Sequence, residues 1–365
     1  MEKGLSRTSL VRILMIVVIA AGLGVVVYFL PSFFAREETS SAPRLSTGGT
    51  SSVSIILENG WRSAYRKVKG VEVDYESTGS TRGLEHLMDN HYAIAFTHSP
   101  MTAEQRQKAE AKGGEIMQVP VALCAVTLAY NVKELKQKPP LKFTPEVLAG
   151  IFLGVITKWN DPALKQLNEG ADLPDLDITA VHRSDSSGTT YIFTDYLNKT
   201  STLWQKKLGK AGSEISWPGG IGAARNHGVA ERVLITEGAI GYVDLAHALA
   251  LSLSTGAVQN KDQTAFVGPE PANMTAAAQA IIADISEDLT FDLANRTGKD
   301  SYPICGGIWA VCYQKQPSAN GQRVADFLHW VTHDGQQFAE STANAPLPRE
   351  LVERAEQKLQ SIKTR

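Results

Sequence analysis

Residues 119–132 read VPVALCAVTLAYNV, a run too long and too continuously apolar for a strand with one face in water. It suits a strand that leaves one domain and enters another. SYPICGGIWAVCYQK, residues 301–315, has the same character, and Gly306 and Gly307 supply backbone freedom within it. Two such crossings, near residues 125 and 306, make a middle lobe inserted within an outer one. Around them the pattern alternates. Val53, Leu57, Trp61 and Tyr65 recur at helical spacing, and Val71, Val73 and Tyr75 of VEVDY share one face. A helix carrying Leu84, Leu87 and Met88 and the short strand AIAF at 93–96 follow. Strands and helices that take turns point to an α/β architecture. No repeat of fixed period is present, which argues against solenoids and propellers. EGAIGYVD, 237–244, reads as a strand start that needs Gly241, and Trp159 as a tryptophan beneath a loop.

The N-terminus carries a second signal. Ile13–Leu30 is an unbroken apolar run, long enough at about 1.5 Å per residue to cross most of a bilayer. Lys3, Arg7 and Arg12 precede it, whereas Arg36 is followed by Glu37 and Glu38. That charge bias places residues 1–12 in the cytoplasm and the body outside. The run is longer than a usual signal-peptide core, and Phe33 sits where a cleavage site wants a small residue. Residues 13–30 are therefore expected to be an uncleaved anchor, with a removed signal peptide as the alternative. A lipid on a cysteine just after the run is excluded, because the first cysteine is Cys124. ETSSAPRLSTGGTSS, 38–52, has no apolar period, so residues 31–47 read as a flexible tether.

The body has the composition of a globular protein: among 365 residues, 43% are hydrophobic and 20% charged. A net charge of -2 argues against nucleic acid as partner, since phosphate-backbone binding shows as a basic excess. Cys124, Cys305 and Cys312 allow at most one disulfide, and their apolar surroundings favour buried thiols. Neither they nor the eight histidines show metal-ligand spacing. No Gly-Lys-Ser or Gly-Lys-Thr phosphate loop occurs.

Three segments repeat one device. GGTSSVSIIL (48–57), STGSTRGLEHL (77–87) and RSDSSGTTYIF (183–193) each set glycine and small hydroxyls directly before an amphipathic helix. Alone, each is an ordinary N-cap. Together, helix starts aimed into one cleft make an anion site, because their unpaired N–H groups carry partial positive charge and hydroxyls add donors. Arg183 adds a cation suited to a tetrahedral oxyanion, and Asp185 can hold its guanidinium. His182, Asp185 and Ser187 have the residue types of a hydrolase triad but lie within one six-residue turn and cannot adopt its geometry. No G-x-S-x-G elbow is present.

HRSDSSGTTYIFTDYL, IFLGVITKWNDPAL, WPGGIGAARNHGVA and EGAIGYVD together resemble the periplasmic substrate-binding protein of bacterial phosphate ABC transporters, over about Gly48 to residue 355. The resemblance implies a type II-like, two-lobed periplasmic-binding-protein fold with two crossing strands, here behind an N-terminal transmembrane helix. Residues 48–124 and 307–365 would form one lobe and 125–306 the other. It implies inorganic phosphate as ligand, ABC permease subunits as partners, a monomer, no cofactor, no metal and no catalysis. Sulfate or arsenate as ligand, or a phosphate scavenger or sensor without transport, stand as alternatives.

Carried over by position, the anion contacts fall on Ser52, the Val53 amide, Ser80, Arg183, Ser187, Gly188 and Thr189, with Asp185 orienting Arg183. Ser52 stands where the family usually has threonine. His98, in IAFTHSPMT, stands where the family has an aspartate that accepts the proton of hydrogen phosphate and thereby excludes sulfate. A neutral imidazole can accept or donate, and a charged one only donates. Sulfate or arsenate is therefore expected to compete better here, increasingly below a pH of about 6.5. The other reading turns His98 away and gives the contact to Thr97 or Ser99.

Overall fold

The computed structural model describes residues 42–316 and 318–364. The run Ile13–Leu30, residues 1–12 and most of the expected tether lie outside the described residues. Among the described residues, no helix is long and apolar enough to cross a membrane.

The first strand, β1 (Arg44–Gly49), takes in the last residues read as tether. This corrects the tether's end at 47. Leu45 and Thr47 are buried, and a Cβ on Gly49 (φ +131°) would lie 2.2 Å from the Phe96 carbonyl oxygen. The small residues are there because neighbouring backbone comes close, not because the chain is loose.

The chain continues through β2 (Glu72–Ser77), β3 (Ile94–Thr97), β4 (Ile116–Asn131), β5 (Lys142–Phe143), β6 (Thr179–Arg183), β7 (Ile221–Ala223) and β8 (Ala239–Asp244). β9 (Ser254–Thr255), β10 (Ala257–Gln259), β11 (Phe266–Val267) and β12 (Cys305–Tyr313) follow, with helices between. The main sheet runs β2-β1-β3-β12-β4-β8-β6-β7, with β9 beside β4, and β11-β10-β5 form a small separate sheet. β1 is parallel to β2 and β3, and β6 to β7 and β8. The result is a two-lobed α/β fold.

The stretch at 119–132 explains its own composition. From Ile116 to Ala125, β4 pairs antiparallel with β12; from Val126 to Asn131 it pairs with β8. One strand thus serves two groups of parallel strands, is covered on both faces, and is buried along nearly its whole length. The return passes through Ile304, whose carbonyl accepts from Val126 N–H at 2.9 Å. Cys124, Cys305 and Cys312 are free and buried.

Val53, Leu57, Trp61 and Tyr65 are all fully buried. Four-residue steps overshoot a 3.6-residue turn, so a regular α-helix would rotate the later ones toward solvent. The chain instead inserts a π-helical turn, Leu57–Trp61, between the helices Ser52–Ile56 and Arg62–Lys69. Trp159 is fully buried and its indole donates to the Gly238 carbonyl at 3.0 Å. The turn into β8 is made by Gly238 (φ +75°), not Gly241. Gly241 lies within β8, where an added Cβ would meet Val229 and Val233 at 2.9 and 3.0 Å.

Candidate functional site

In each group the parallel strands end on the same edge, and the segments leaving that edge start helices. This is the edge at which α/β sheets gather ligands. β1 leads to Ser52–Ile56, β2 to Ser80–Met88, β6 to Gly188–Thr200, β7 to Arg225–Ile235 and β8 to Leu245–Ala250. The three hydroxyl-rich starts singled out in the sequence do converge. Ser52, Ser80, Arg183, Ser187 and Thr189 are all buried. Thr81 Oγ1 meets Ser186 Oγ at 2.7 Å, which joins the second start to the third.

Arg183 ends β6 with only 5% of its surface exposed. Its Nε donates to Asp185 Oδ1 at 2.8 Å and its Nη2 to Asp185 Oδ2 at 2.6 Å, a two-pronged pair. Burial raises the Asp185 carboxyl, but the hydrogen bonds and charge of Arg183 and the Arg225 N–H outweigh it and hold the group below its ordinary value. Nη1 is turned the other way, toward Thr189 Oγ1 (3.5 Å) and Asn226 Oδ1 (3.4 Å). At that length these bonds are weak, so Nη1 is the arm with capacity to spare.

Ser187 Oγ caps its helix by accepting from Thr190 N–H at 3.2 Å. That leaves its O–H to donate. Val53 N–H closes a turn on the Thr50 carbonyl at 3.3 Å, a long bond that spends the amide only in part. Ser80 Oγ accepts from His98 N–H at 3.4 Å. Gly188 sits against both, since an added Cβ would lie 2.5 Å from His98 Cβ and 2.8 Å from Ser80 Oγ.

His98 does not turn away from the cluster: it is 2% exposed, and its Nδ1 lies 3.0 Å from Thr50 Oγ1. Thr97 Oγ1 is spent on the Ser99 carbonyl. Burial pushes the His98 imidazole down to about 4, with Arg183 and His247 adding to the effect and Asp244 opposing it. This corrects the expected charging near 6.5. The ring is neutral across physiological pH.

Two further residues belong here. Asn226, fully buried at the start of its helix, donates through Nδ2 to Ser51 Oγ (2.9 Å), Ser52 Oγ (3.4 Å) and Thr189 Oγ1 (3.2 Å). Its Oδ1 accepts from Asp244 N–H at 3.2 Å as well as from Arg183. It thus ties the first helix start to the third. Asp244, at the end of β8, is 3% exposed; its Oδ1 accepts from Ala246 N–H (3.1 Å) and faces His247 Nδ1 (3.3 Å). The quoted blocks contain both, but a lone Asn before a helix and an Asp closing a strand carry no local mark of function. His182 stacks on Trp217 at 5.3 Å, which accounts for it structurally.

Donor atoms of His98, Cys124 and Asp244 lie within 4.8 Å of one another, as do those of His329, His333 and Glu356 nearer the surface. In the buried cluster the thiol is raised well above its ordinary value by burial, and Asp244 already accepts hydrogen bonds. In the structure the thiol donates to the Gly306 carbonyl at 3.5 Å and the carboxylate accepts from the Ala246 N–H at 3.1 Å. The site as built is a buried cluster of hydroxyls, helix N-termini and one braced guanidinium, groups suited to one small oxyanion.

Residues 35–334 match the PBP superfamily domain. The chain is 34% identical over 324 residues to the phosphate-binding protein PstS of Xylella fastidiosa, covering 88% of this chain and 86% of that one. It is 34% identical over 327 residues to PstS of Pasteurella multocida, covering 89% and 92%. Among solved structures it is similar to a high affinity periplasmic phosphate-binding protein bound with phosphate, with a TM-score of 0.69 at 20% identity and coverage of 85% and 92%.

Proposed function

This chain belongs to the phosphate-binding proteins of the PBP superfamily, and we propose that it holds inorganic phosphate between its lobes on the extracytoplasmic side and delivers it to an ABC permease. The lobes are residues 44–124 with 307–365, and 125–306. Residues 13–30 tether the body to the membrane, and it works as a monomer, without cofactor or catalysis.

The observation that carries this reading is the Arg183–Asp185 pair. A buried guanidinium with one side clamped by a carboxylate presents its remaining N–H groups in a fixed direction. In this reading the anion also meets the hydroxyls of Ser52, Ser80, Ser187 and Thr189, the amides of Val53 and Gly188, and the ring of His98, all of them buried. Each donor counts for more here than in water, because these groups are buried.

Arg183 is the one full positive charge among these contacts. Arg183→Ala should weaken phosphate binding by at least about thirtyfold, since loss of one partner of a buried charge pair costs about 2–5 kcal/mol. Equilibrium dialysis with labelled phosphate checks this. Unchanged uptake by the variant would overturn the placement.

A further inference from the structure

The expectation that no histidines stand at metal-ligand spacing fails at one place. His329 and His333 are four residues apart, the first in the last turn of the helix Ser318–Thr332 and the second just past its end. That spacing sets both rings on one side of the chain, with centroids 4.3 Å apart. Glu356 reaches them from the helix Arg349–Leu359, whose Leu351, Ala355 and Leu359 are buried. One ligand atom from each of the three lies within 4.8 Å of the other two. None of the three is among the anion contacts.

The hydrogen bonds decide which atoms are free. His333 Nδ1 lies 2.9 Å from the His329 carbonyl, which only accepts, so in a neutral ring that nitrogen carries the proton. Thr332 Oγ1, 3.2 Å from the same nitrogen, spends its own proton on the Leu328 and His329 carbonyls. His333 Nε2 then holds a lone pair, and it faces Glu356 Oε2 at 3.5 Å. Two acceptors at that distance repel unless a cation stands between them. A second proton on the ring would serve, but it would leave the adjoining His329 ring without a part. A metal ion uses all three groups. A ring N–H given to a backbone carbonyl is also the support that metal-bound imidazoles carry, since it fixes tautomer and ring direction. Tetrahedral zinc with ligands at about 2.1 Å sets them about 3.4 Å apart. The His333 and Glu356 atoms already stand at that separation, and the exposed His329 ring is free to close the rest.

We propose that His329, His333 and Glu356 form a zinc site with a fourth position open to water, and that the ion ties the helix Arg349–Leu359 to the end of Ser318–Thr332. Two imidazoles and one carboxylate suit zinc and its late first-row neighbours, whereas magnesium and calcium take oxygen ligands. The role is structural: an ion held from both helices adds its binding free energy to the folded state. The site stands apart from the proposed phosphate binding and does not depend on it.

The test is titration calorimetry with zinc chloride on the untagged full-length protein, stripped with a chelator, in mild detergent and phosphate-free buffer, for wild type, His329→Ala and Glu356→Gln. Wild type should bind zinc and should not bind magnesium chloride. Both variants should bind zinc at least about tenfold more weakly, since loss of a mere orienting partner already costs about 10–100-fold. Zinc should also slow amide hydrogen exchange in Arg349–Leu359 of wild type and not of the variants. Absence of zinc binding by wild type overturns the proposal and leaves a proton between His333 and Glu356. Wild-type affinity in either variant overturns it as well, because the ion then sits elsewhere or lacks that ligand. Unchanged exchange in Arg349–Leu359 overturns the tie between the helices. Should a variant fail to fold, the wild-type titration and exchange decide alone.

Discussion

Replacing His98 with asparagine should remove much of the protein's sensitivity to mild acid. The imidazole lies at about 4 in the folded protein against an ordinary value of 6.5. A depressed value means that the unfolded chain takes up the proton first. The stability tied to the neutral ring is thus fully present above pH 6.5 and is lost as pH falls toward 4. At about 1.4 kcal/mol per pH unit the whole interval is worth roughly 3 kcal/mol, of which about 2 kcal/mol falls between pH 7 and pH 5. Asp185 and Asp244 do not blur this window, because their depressed carboxyls give up their contribution only at lower pH. The assay is urea unfolding at pH 7 and pH 5 in phosphate-free buffer, since bound ligand would add stability of its own. Wild type should lose about 2 kcal/mol more than His98→Asn over that step. An equal loss in both proteins would refute the claim that His98 is buried in neutral form.

Other substitutions test the closed geometry. Gly188→Ala puts a methyl 2.5 Å from His98 Cβ and 2.8 Å from Ser80 Oγ, and overpacking of that size should cost phosphate affinity about tenfold or more by calorimetry. Asn226→Ala strips a donor from Ser51, Ser52 and Thr189 and an acceptor from Asp244 N–H. With buried polar groups left unpaired at about 1–3 kcal/mol each, it should lower both the melting temperature and phosphate affinity. Cys124→Ala in the full-length chain should leave phosphate affinity within about threefold in calorimetry, because its protonated thiol bonds weakly, to the Gly306 carbonyl at 3.5 Å.

What could be read in the sequence was what is local. β4 announces itself because burial on both faces leaves no polar alternation, and the three hydroxyl-rich helix starts are contiguous segments. β1 was hidden because RLSTGG owes its small residues to Tyr92 and Phe96, which approach from elsewhere in the chain. The π-helical turn was present in the strict four-residue spacing of its apolar positions, but that spacing also fits an ordinary helix over a short stretch. Asn226 could not be singled out, since its partners Ser51 and Ser52 lie 175 and 174 residues away. The charge state of His98 was beyond reach for a related reason. It is set by what covers the ring, including Gly188 and Thr50, and not by its neighbours in sequence.

The most direct test of the central claim is a crystal structure of the protein grown with phosphate. The account predicts one tetrahedral anion within hydrogen-bonding distance of Arg183 Nη1, the hydroxyls of Ser52, Ser80, Ser187 and Thr189, and the Val53 and Gly188 amides. An anion seated away from Arg183, or density there that belongs to a metal bound by His98, Cys124 and Asp244, would contradict it.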